Sequence, residues 1–270
     1  MTAGPPDRYI HGHHDSVLAS HRTRTAANSA AYLLPRLRPG LRLLDVGCGP
    51  GTITVDLAAR VAPGEVVALD RAAAILAEVE QLANDNGAYN VTPAVGDIYA
   101  LGFPDDAFDV VHAHQVLQHL SDPVAALREM RRVTRPGGVV AVRDADYTAM
   151  TWYPPDRHLD RWREIYHAVA RANQAEPDAG RRLLAWAHAA GFSEVAPSAS
   201  TWVFADDTSR RWWGETWAER TLRSGVAEQA MAARIASRAE LEAVAAGWRA
   251  WVAHPDAWFS VLHGEILATP

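Results

Sequence analysis

The stretch Leu43-Leu44-Asp45-Val46-Gly47-Cys48-Gly49-Pro50-Gly51-Thr52 joins an apolar run to a predicted helix through three closely spaced glycines. Such a run reads as a strand buried on both faces. Glycines at its end let the chain bend sharply and let ligand atoms approach the backbone where a Cβ would collide. The helix expected from about Thr52 to Arg60 then points its unpaired amides at the bend, an arrangement that holds a nucleotide-like ligand. The spacing is G-x-G-x-G with Pro50 before the third glycine, not the G-x-G-x-x-G of dinucleotide sites. Asp45, two residues ahead of the first glycine, would repel a pyrophosphate. It suits the ammonium of an amino-acid ligand, reached directly or through water.

Outward from this turn, strands and helices alternate. Residues 64–70 read as a turn and buried strand, 72–86 as a helix, 91–97 as a third strand and 108–114 as a fourth. A helix over 123–133 and a strand over 138–143, entered through Arg135-Pro136-Gly137-Gly138, complete the series. Strands alternating with helices imply a parallel, doubly wound α/β sheet. Upstream, Ser16 to Leu34 reads as helical. Downstream, helices are expected at 155–175 and 180–190, an extended segment at 194–205, a helical block at 209–253 and a last strand at 257–268.

Asp45, Gly47, Gly49, Asp70, Gly96-Asp97 and Arg135-Pro136-Gly137-Gly138 together resemble the class I S-adenosylmethionine-dependent methyltransferases, over roughly residues 40–143. Within that superfamily, the segment 111–123 is similar to ubiquinone/menaquinone-biosynthesis-type and related small-molecule enzymes of specialised metabolism. Those often carry paired histidines before an Asp-Pro; here the first is Gln118 and only His119 remains. The resemblance implies a Rossmann-like, seven-stranded, mostly parallel sheet with an N-terminal helical lid and a helical cap between the last two strands. The corresponding division is an arm and lid helix at 1–40, a core at 41–205 and 255–270, and a cap at 206–254.

The cofactor expected is S-adenosyl-L-methionine, held by Asp45, Gly47, Cys48, Gly49, Asp70, Arg71, Gly96, Asp97, Ile98 and His114. Asp70 can accept both ribose hydroxyls, or simply cap the following helix. Asp97 can accept from the adenine amino group with Ile98 on the ring, or only shape a turn. His114 is placed at the cofactor's methionine part. His119 is the candidate general base, with Asp144 as its orienting partner or the base itself. The alternatives are a loop anchor for His119 and an arginine partner for Asp144 or Asp146.

All ten tryptophans lie beyond residue 150. They either pack cap helices onto the sheet or, like Trp213 and Trp217 four residues apart on one helical face, line an acceptor pocket. Tyr147 joins these two as an expected substrate contact, and the resemblance implies that the N-terminal arm and the following helix fold over the cofactor, bringing Tyr9 and His14 near the acceptor. In the stretch 9–15, His13 or His14 with Asp15 are possible ligands, but no second ligand cluster has metal spacing, so no metal is expected.

Composition bounds the rest. An apolar fraction of 49% with 21% charged residues describes a folded globular chain. A net charge of −6 argues against nucleic acid or an anionic membrane as partner. All 26 basic residues are arginine, so no lysine can serve as base or Schiff-base former. One cysteine, Cys48, excludes an internal disulfide and, with no secretory or membrane-spanning apolar run, points to the cytoplasm. A homodimer is left open. The expected activity is O-, N- or C-methylation of an aromatic or polyketide-like specialised metabolite, as in antibiotic biosynthesis. A quinone-pathway or indole-ring C-methyltransferase is the alternative, and a cofactor-binding protein without transfer activity the distant one.

Overall fold

The structure, a computed structural model, describes residues 21–270. The expected lid contacts of Tyr9 and His14 and the histidine cluster at 11–15 lie outside the described residues.

Eight strands form one sheet in the order β3-β2-β1-β4-β5-β8, with β6 and β7 both paired to β8. They are β1 (Leu43–Val46), β2 (Val66–Asp70), β3 (Val91–Val95), β4 (Phe108–His114), β5 (Thr134–Ala145), β6 (Thr151–Tyr153), β7 (Glu194–Phe204) and β8 (Trp258–Thr269). β1 to β5 pair in parallel, and β8 runs antiparallel to β5, β6 and β7. The helices are α1 (Ala26–Ser29), α2 (Thr52–Val61), α3 (Ala73–Asp85), α4 (Pro123–Val133), α5 (Arg157–Ala172), α6 (Leu183–Ala189), α7 (Asp207–Arg223), α8 (Gly225–Ala232) and α9 (Arg238–Ala253).

Every residue of β1 is buried, as a strand covered on both faces requires. Leu43, Val66 and Val110 pack with Leu57 and Val61 of α2, whereas Leu44, Val67 and Val111 pack with Leu127 and Met130 of α4. Alternation along β1 therefore sends Asp45 to the α2 face. A third core joins α5, α7, α8 and α9 to one end of β8, with Trp162, Trp217, Trp248 and Phe259 inside it. Trp248 and Trp251 are fully buried, so the packing role foreseen for most tryptophans holds for these two.

Several elements differ from the sequence expectation, β5 among them, which runs Thr134–Ala145 where 138–143 was expected. In the described part of 16–34 the helix is interrupted at 22–25 and resumes over Ala26–Ser29, where a capping box at Thr25 starts a new turn. Thr25 Oγ1 accepts from the Asn28 amide, and Asn28 Oδ1 accepts from the Thr25 amide. β3 stops at Val95, leaving Gly96 and Asp97 in the turn where Asp97 Oδ1 accepts from the Tyr99 amide. The single block 209–253 is three helices. Ser224 ends α7 and caps α8, and Ser237 with Glu240 forms a capping box that opens α9. The eighth strand, β6, was not foreseen: three residues are too few to show a period, and they are strand only because they pair with 258–260.

Candidate active site

The glycine turn forms as its sequence suggests. Amides of Gly47 and Cys48 both donate to the Leu69 carbonyl, at 2.7 and 3.1 Å, tying the end of β1 to the end of β2. Gly47 has φ of +69°, and a Cβ there would lie 2.6 Å from Val116 Cγ2. Gly51, at φ +85°, is the left-handed N-cap of α2 and offers no side chain to its free amides. Burial and the neighbouring Asp45 and Asp70 raise the Cys48 thiol far above its ordinary value, so it stays protonated as a turn residue.

Asp45 is buried and both of its oxygens are engaged. Thr54 Oγ1 donates to Oδ2 at 2.6 Å, and His112 Nδ1 donates to Oδ1 at 2.7 Å. Its primary work is to lock β1, β4 and α2 together, and a ligand ammonium would have to share oxygens already bonded to protein. Asp70 closes β2, its Oδ2 accepting from Gly49 N at 3.1 Å and its Oδ1 from Ala72 N at 2.9 Å. The N-cap of α3 is Ala72, so Asp70 does not cap that helix.

These groups open onto a cavity of about 1280 Å³. One half is walled by the glycine turn, Asp45, Asp70, Arg71, Gly96, Asp97 and Ile98; His21, Thr23 and Arg24 also line the cavity, Arg24 lying 5.9 Å from the ring centre of Trp202. The other is walled by Tyr147, Met150, Trp202, Phe204, Trp212, Trp213, Trp217 and Arg220. Tyr147 stacks on Tyr166 with ring centres 3.9 Å apart, and Trp213 stacks on Phe204 at 4.2 Å. Trp213 and Trp217 thus both pack and line, as their shared helical face allows. The loop carrying Tyr147 and Met150 is pinned by Thr148, whose Oγ1 donates to Asp178 Oδ2 at 2.8 Å; His167 bonds the same carboxylate.

The halves meet at the end of β4, where His114, Gln115, Val116, Gln118 and His119 line the cavity. His114 pairs in register with Arg143, as parallel neighbours β4 and β5 require. It is buried, and neither ring nitrogen has a hydrogen-bond partner among the described residues. Burial, then the charges of Arg24 and Arg143, hold it neutral, with its pKa well below the ordinary value.

The pairing expected between His119 and Asp144 is corrected by Gln118, which stands between them. Its backbone N–H donates to Asp144 Oδ1 at 3.1 Å, and its side-chain Oε1 accepts from Ala145 N at 3.2 Å. That second bond fixes the amide orientation, so Gln118 Nε2 must donate to His119 Nε2, 3.1 Å away. The ring proton of His119 therefore sits on Nδ1, and its lone pair is already engaged. Burial lowers its pKa to about 3, which further disfavours a role as base. Asp144 is fully buried, with burial raising its carboxyl to about 7, and it is not among the residues lining the cavity. The arginine pairing weighed for the neighbouring acid does form, Arg181 bonding Asp146 at 2.5 and 2.7 Å.

Several residues in the wall and packed behind it were not singled out from sequence. Arg24 donates to Gln115 Oε1, which orients the Gln115 amide to donate to His263 Nε2 at 2.8 Å. Arg143 is buried against Glu265 at 3.1 Å and lies 5.0 Å from the ring centre of Trp202; burial lowers its pKa to about 10, so it stays charged. Ser198 and Ser200 hold the other lone pairs of Glu265. The only available signal was alternation, since Ser198, Ser200 and Trp202 share one face of β7. Its partners on β8 are more than 60 residues further along the chain.

Residues 37–208 match the methyltransferase domain family, and the chain belongs to it. It is 36% identical to an uncharacterised methyltransferase of Schizosaccharomyces pombe over 96% of this chain and 95% of that protein. It is 32% identical to a demethylmenaquinone methyltransferase of Anoxybacillus flavithermus over 50% of this chain and 54% of that one. The YcgJ protein of Bacillus subtilis shares the fold, with a TM-score of 0.57, 19% identity, and coverage of 88% of this chain and 97% of that one. The protein is a class I S-adenosylmethionine-dependent methyltransferase. The left-handed glycine turn, which side chains would fill, and the Asp70 carboxylate beside it fit that cofactor.

Proposed function

We propose that the enzyme methylates a small aromatic or polyketide-like acceptor seated in the aromatic half of the cavity. The observation that carries this reading is the meeting of the glycine-turn half and the aromatic half at the end of β4. When bound, S-adenosylmethionine supplies an electrophilic methyl group. The protein's part is to hold the acceptor in line and exclude water, which accounts for most of the acceleration such a transfer needs.

In this reading Asp70 receives the ribose hydroxyls, Asp97 the adenine amino group, and Ile98 packs on the ring. The glycine turn with Asp45, Cys48 and Arg71 frames the rest of the cofactor. Tyr147, Trp213 and Trp217 grip the acceptor face. His119, fixed as an Nδ1–H donor, orients the acceptor, and Asp144 positions Gln118 from behind. His114 is the neutral imidazole at the junction with a nitrogen lone pair to offer an acceptor proton. The helical segment 206–254 acts as a cap that supplies the aromatic wall.

The relative acting on demethylmenaquinone favours a second reading, ring C-methylation of a bicyclic hydroquinone. No helix among the described residues is long and apolar enough to cross a membrane. A cytoplasmic site and a place in specialised metabolism, including antibiotic biosynthesis, belong to the proposal.

The test offers labelled S-adenosylmethionine with phenols, naphthohydroquinones, indoles and aliphatic amines. Label moving to O or N of an aromatic acceptor supports the first reading, and label on ring carbon of the hydroquinones the second. Transfer confined to aliphatic amines would refute both. Tight cofactor binding with no transfer to any class would leave a binding protein.

A further inference from the structure

Behind the acceptor wall, the segment 176–182 grips the loop that carries Tyr147. Tyr147 N donates to the Pro177 carbonyl at 3.2 Å and Glu176 N to the Gln118 carbonyl at 3.2 Å, so one short segment is bonded both to Tyr147 and to the residue that orients His119. Asp178 holds the loop twice, its Oδ1 accepting from Thr148 N at 2.7 Å and its Oδ2 from Thr148 Oγ1 at 2.8 Å. At the other end of the same turn, Asp146 Oδ1 accepts from Ala149 N at 3.0 Å, and Arg181 bonds both oxygens of Asp146.

Asp178 is itself held by His167 of α5, which is buried, and the surroundings of that ring fix its charge. Nδ1 lies 2.8 Å from the Arg163 carbonyl oxygen, and Nε2 lies 3.1 and 3.3 Å from the two oxygens of Asp178. A carbonyl and a carboxylate only accept, so each ring nitrogen must carry a hydrogen and the ring is an imidazolium. Burial works against this charge, but the bonds to Asp178 and to the Arg163 carbonyl outweigh it and raise the pKa above 6.5. Arg171, on the same helix, opposes the charge. Arg163 is turned to the Met150 carbonyl, Arg181 to Asp146, Arg182 to Glu176, and Arg220 of α7 to the ring of Trp217. The charged side chains of α8 and α9, which pack on α5, are exposed.

Losing the Nε2 proton reverses the arrangement. A lone pair then faces Asp178, and Thr148 Oγ1, 3.2 Å from Nε2, is a donor within reach. Turning its hydrogen to His167 takes a second bond from Asp178 and leaves the Thr148 amide to hold the loop. We propose that His167 is a positioning residue: as an imidazolium it keeps Asp178 clamped on the Tyr147 loop, and its deprotonation slackens the acceptor wall without disturbing the cofactor half. This rests on the reading of the aromatic half as the acceptor site. Tyr147 is coupled to the clamp through its amide on Pro177 and through its ring, whose centre lies 6.4 Å from that of His167. The glycine turn and Asp70 are held by separate bonds at the ends of β1 and β2. Because the bonds favour the charged ring, the clamp is complete below about pH 6.5 and is lost as pH rises through the raised value.

Ring-proton NMR of the full chain, with His167 assigned through its backbone, reads the charge directly. His167 should titrate above 6.5, and titration below that value overturns the proposal. Calorimetry then follows 2-naphthamide, which has no group that titrates in this range, on the chain saturated with S-adenosylhomocysteine. Its affinity should fall roughly fivefold from about pH 6 to about pH 8.5. Asp144 titrates at about 7, so the same series in His167→Gln, which keeps a neutral donor, separates the two groups. There the fall should shrink to about twofold or less, and Asp178→Asn, which removes the charge partner, should flatten it likewise. An affinity independent of pH in the unaltered chain, or a fall undiminished in both variants, overturns the proposal. So does an equal fall in S-adenosylhomocysteine affinity that disappears in His167→Gln, which would mark general loosening. If 2-naphthamide binds at no pH while S-adenosylhomocysteine does, the acceptor-site reading itself falls. Binding that ignores pH removes only the role of His167.

Discussion

Replacing Asp70 by alanine isolates the contribution of one carboxylate to cofactor affinity. Each carboxylate oxygen has two lone pairs, and the structure uses one on each, Oδ2 for Gly49 N and Oδ1 for Ala72 N. One acceptor site per oxygen remains on the cavity side, which matches the two hydroxyls of a ribose. Hydrogen bonds to a charged acceptor contribute about 1.5–3 kcal/mol each, and some of the ribose hydration returns when they are lost. The expected net loss is about 2–3 kcal/mol, roughly a 30- to 150-fold rise in the dissociation constant. Calorimetric titration with S-adenosylhomocysteine measures it directly. Asp70→Asn, which keeps one oxygen acceptor, should fall between the two. Because Asp70 also holds the Gly49 amide, urea denaturation must accompany the titration. A fall in affinity matched by an equal fall in stability would assign Asp70 to the turn alone, and an unchanged dissociation constant would refute the ribose reading.

Two further substitutions test the geometry around this site. Gly47→Ala combines a left-handed backbone, worth about 1–2 kcal/mol, with overlap of the new methyl on Val116 Cγ2. Gly47→Ala with Val116→Ala should recover the overlap part of the lost urea stability but not the backbone part; no recovery would show that the Val116 contact is unimportant. Asp144→Asn tests the buried carboxyl, raised from 3.8 to about 7 by burial. Between those values the folded protein keeps a proton that the unfolded chain has released, so wild-type stability falls as pH rises. The asparagine variant lacks this cost and should gain on wild type by on the order of 4 kcal/mol from about pH 4 to about pH 8. Parallel stability curves would place the Asp144 titration elsewhere.

The cofactor half was legible in the sequence because it is built locally. Residues 43–52 encode strand, turn and helix within ten positions, and the strand-ending acids Asp70 and Asp97 follow from the same alternation. Backbone preferences and a period of two, repeated at successive strands, are enough to order those groups along one edge of a parallel sheet. Even the exchange of one histidine for Gln118 could be read, but not its consequence. Only the Ala145 amide, 27 residues away, fixes the Gln118 side chain and through it the tautomer of His119.

The acceptor half depends on distances the chain does not encode locally. Trp202 reaches the cavity because β7 pairs with β8, which follows it only after three intervening helices. Arg220 faces the same space because α7 packs against α9 and the loop after β5. The sequence by itself determined that a class I methyltransferase core would form and that the glycine turn and the strand-ending acids would gather at one edge of its sheet, since those follow from local periodicity. The tertiary structure decided which side chains share the acceptor cavity and which histidine keeps a lone pair, because packing across large sequence separations sets both.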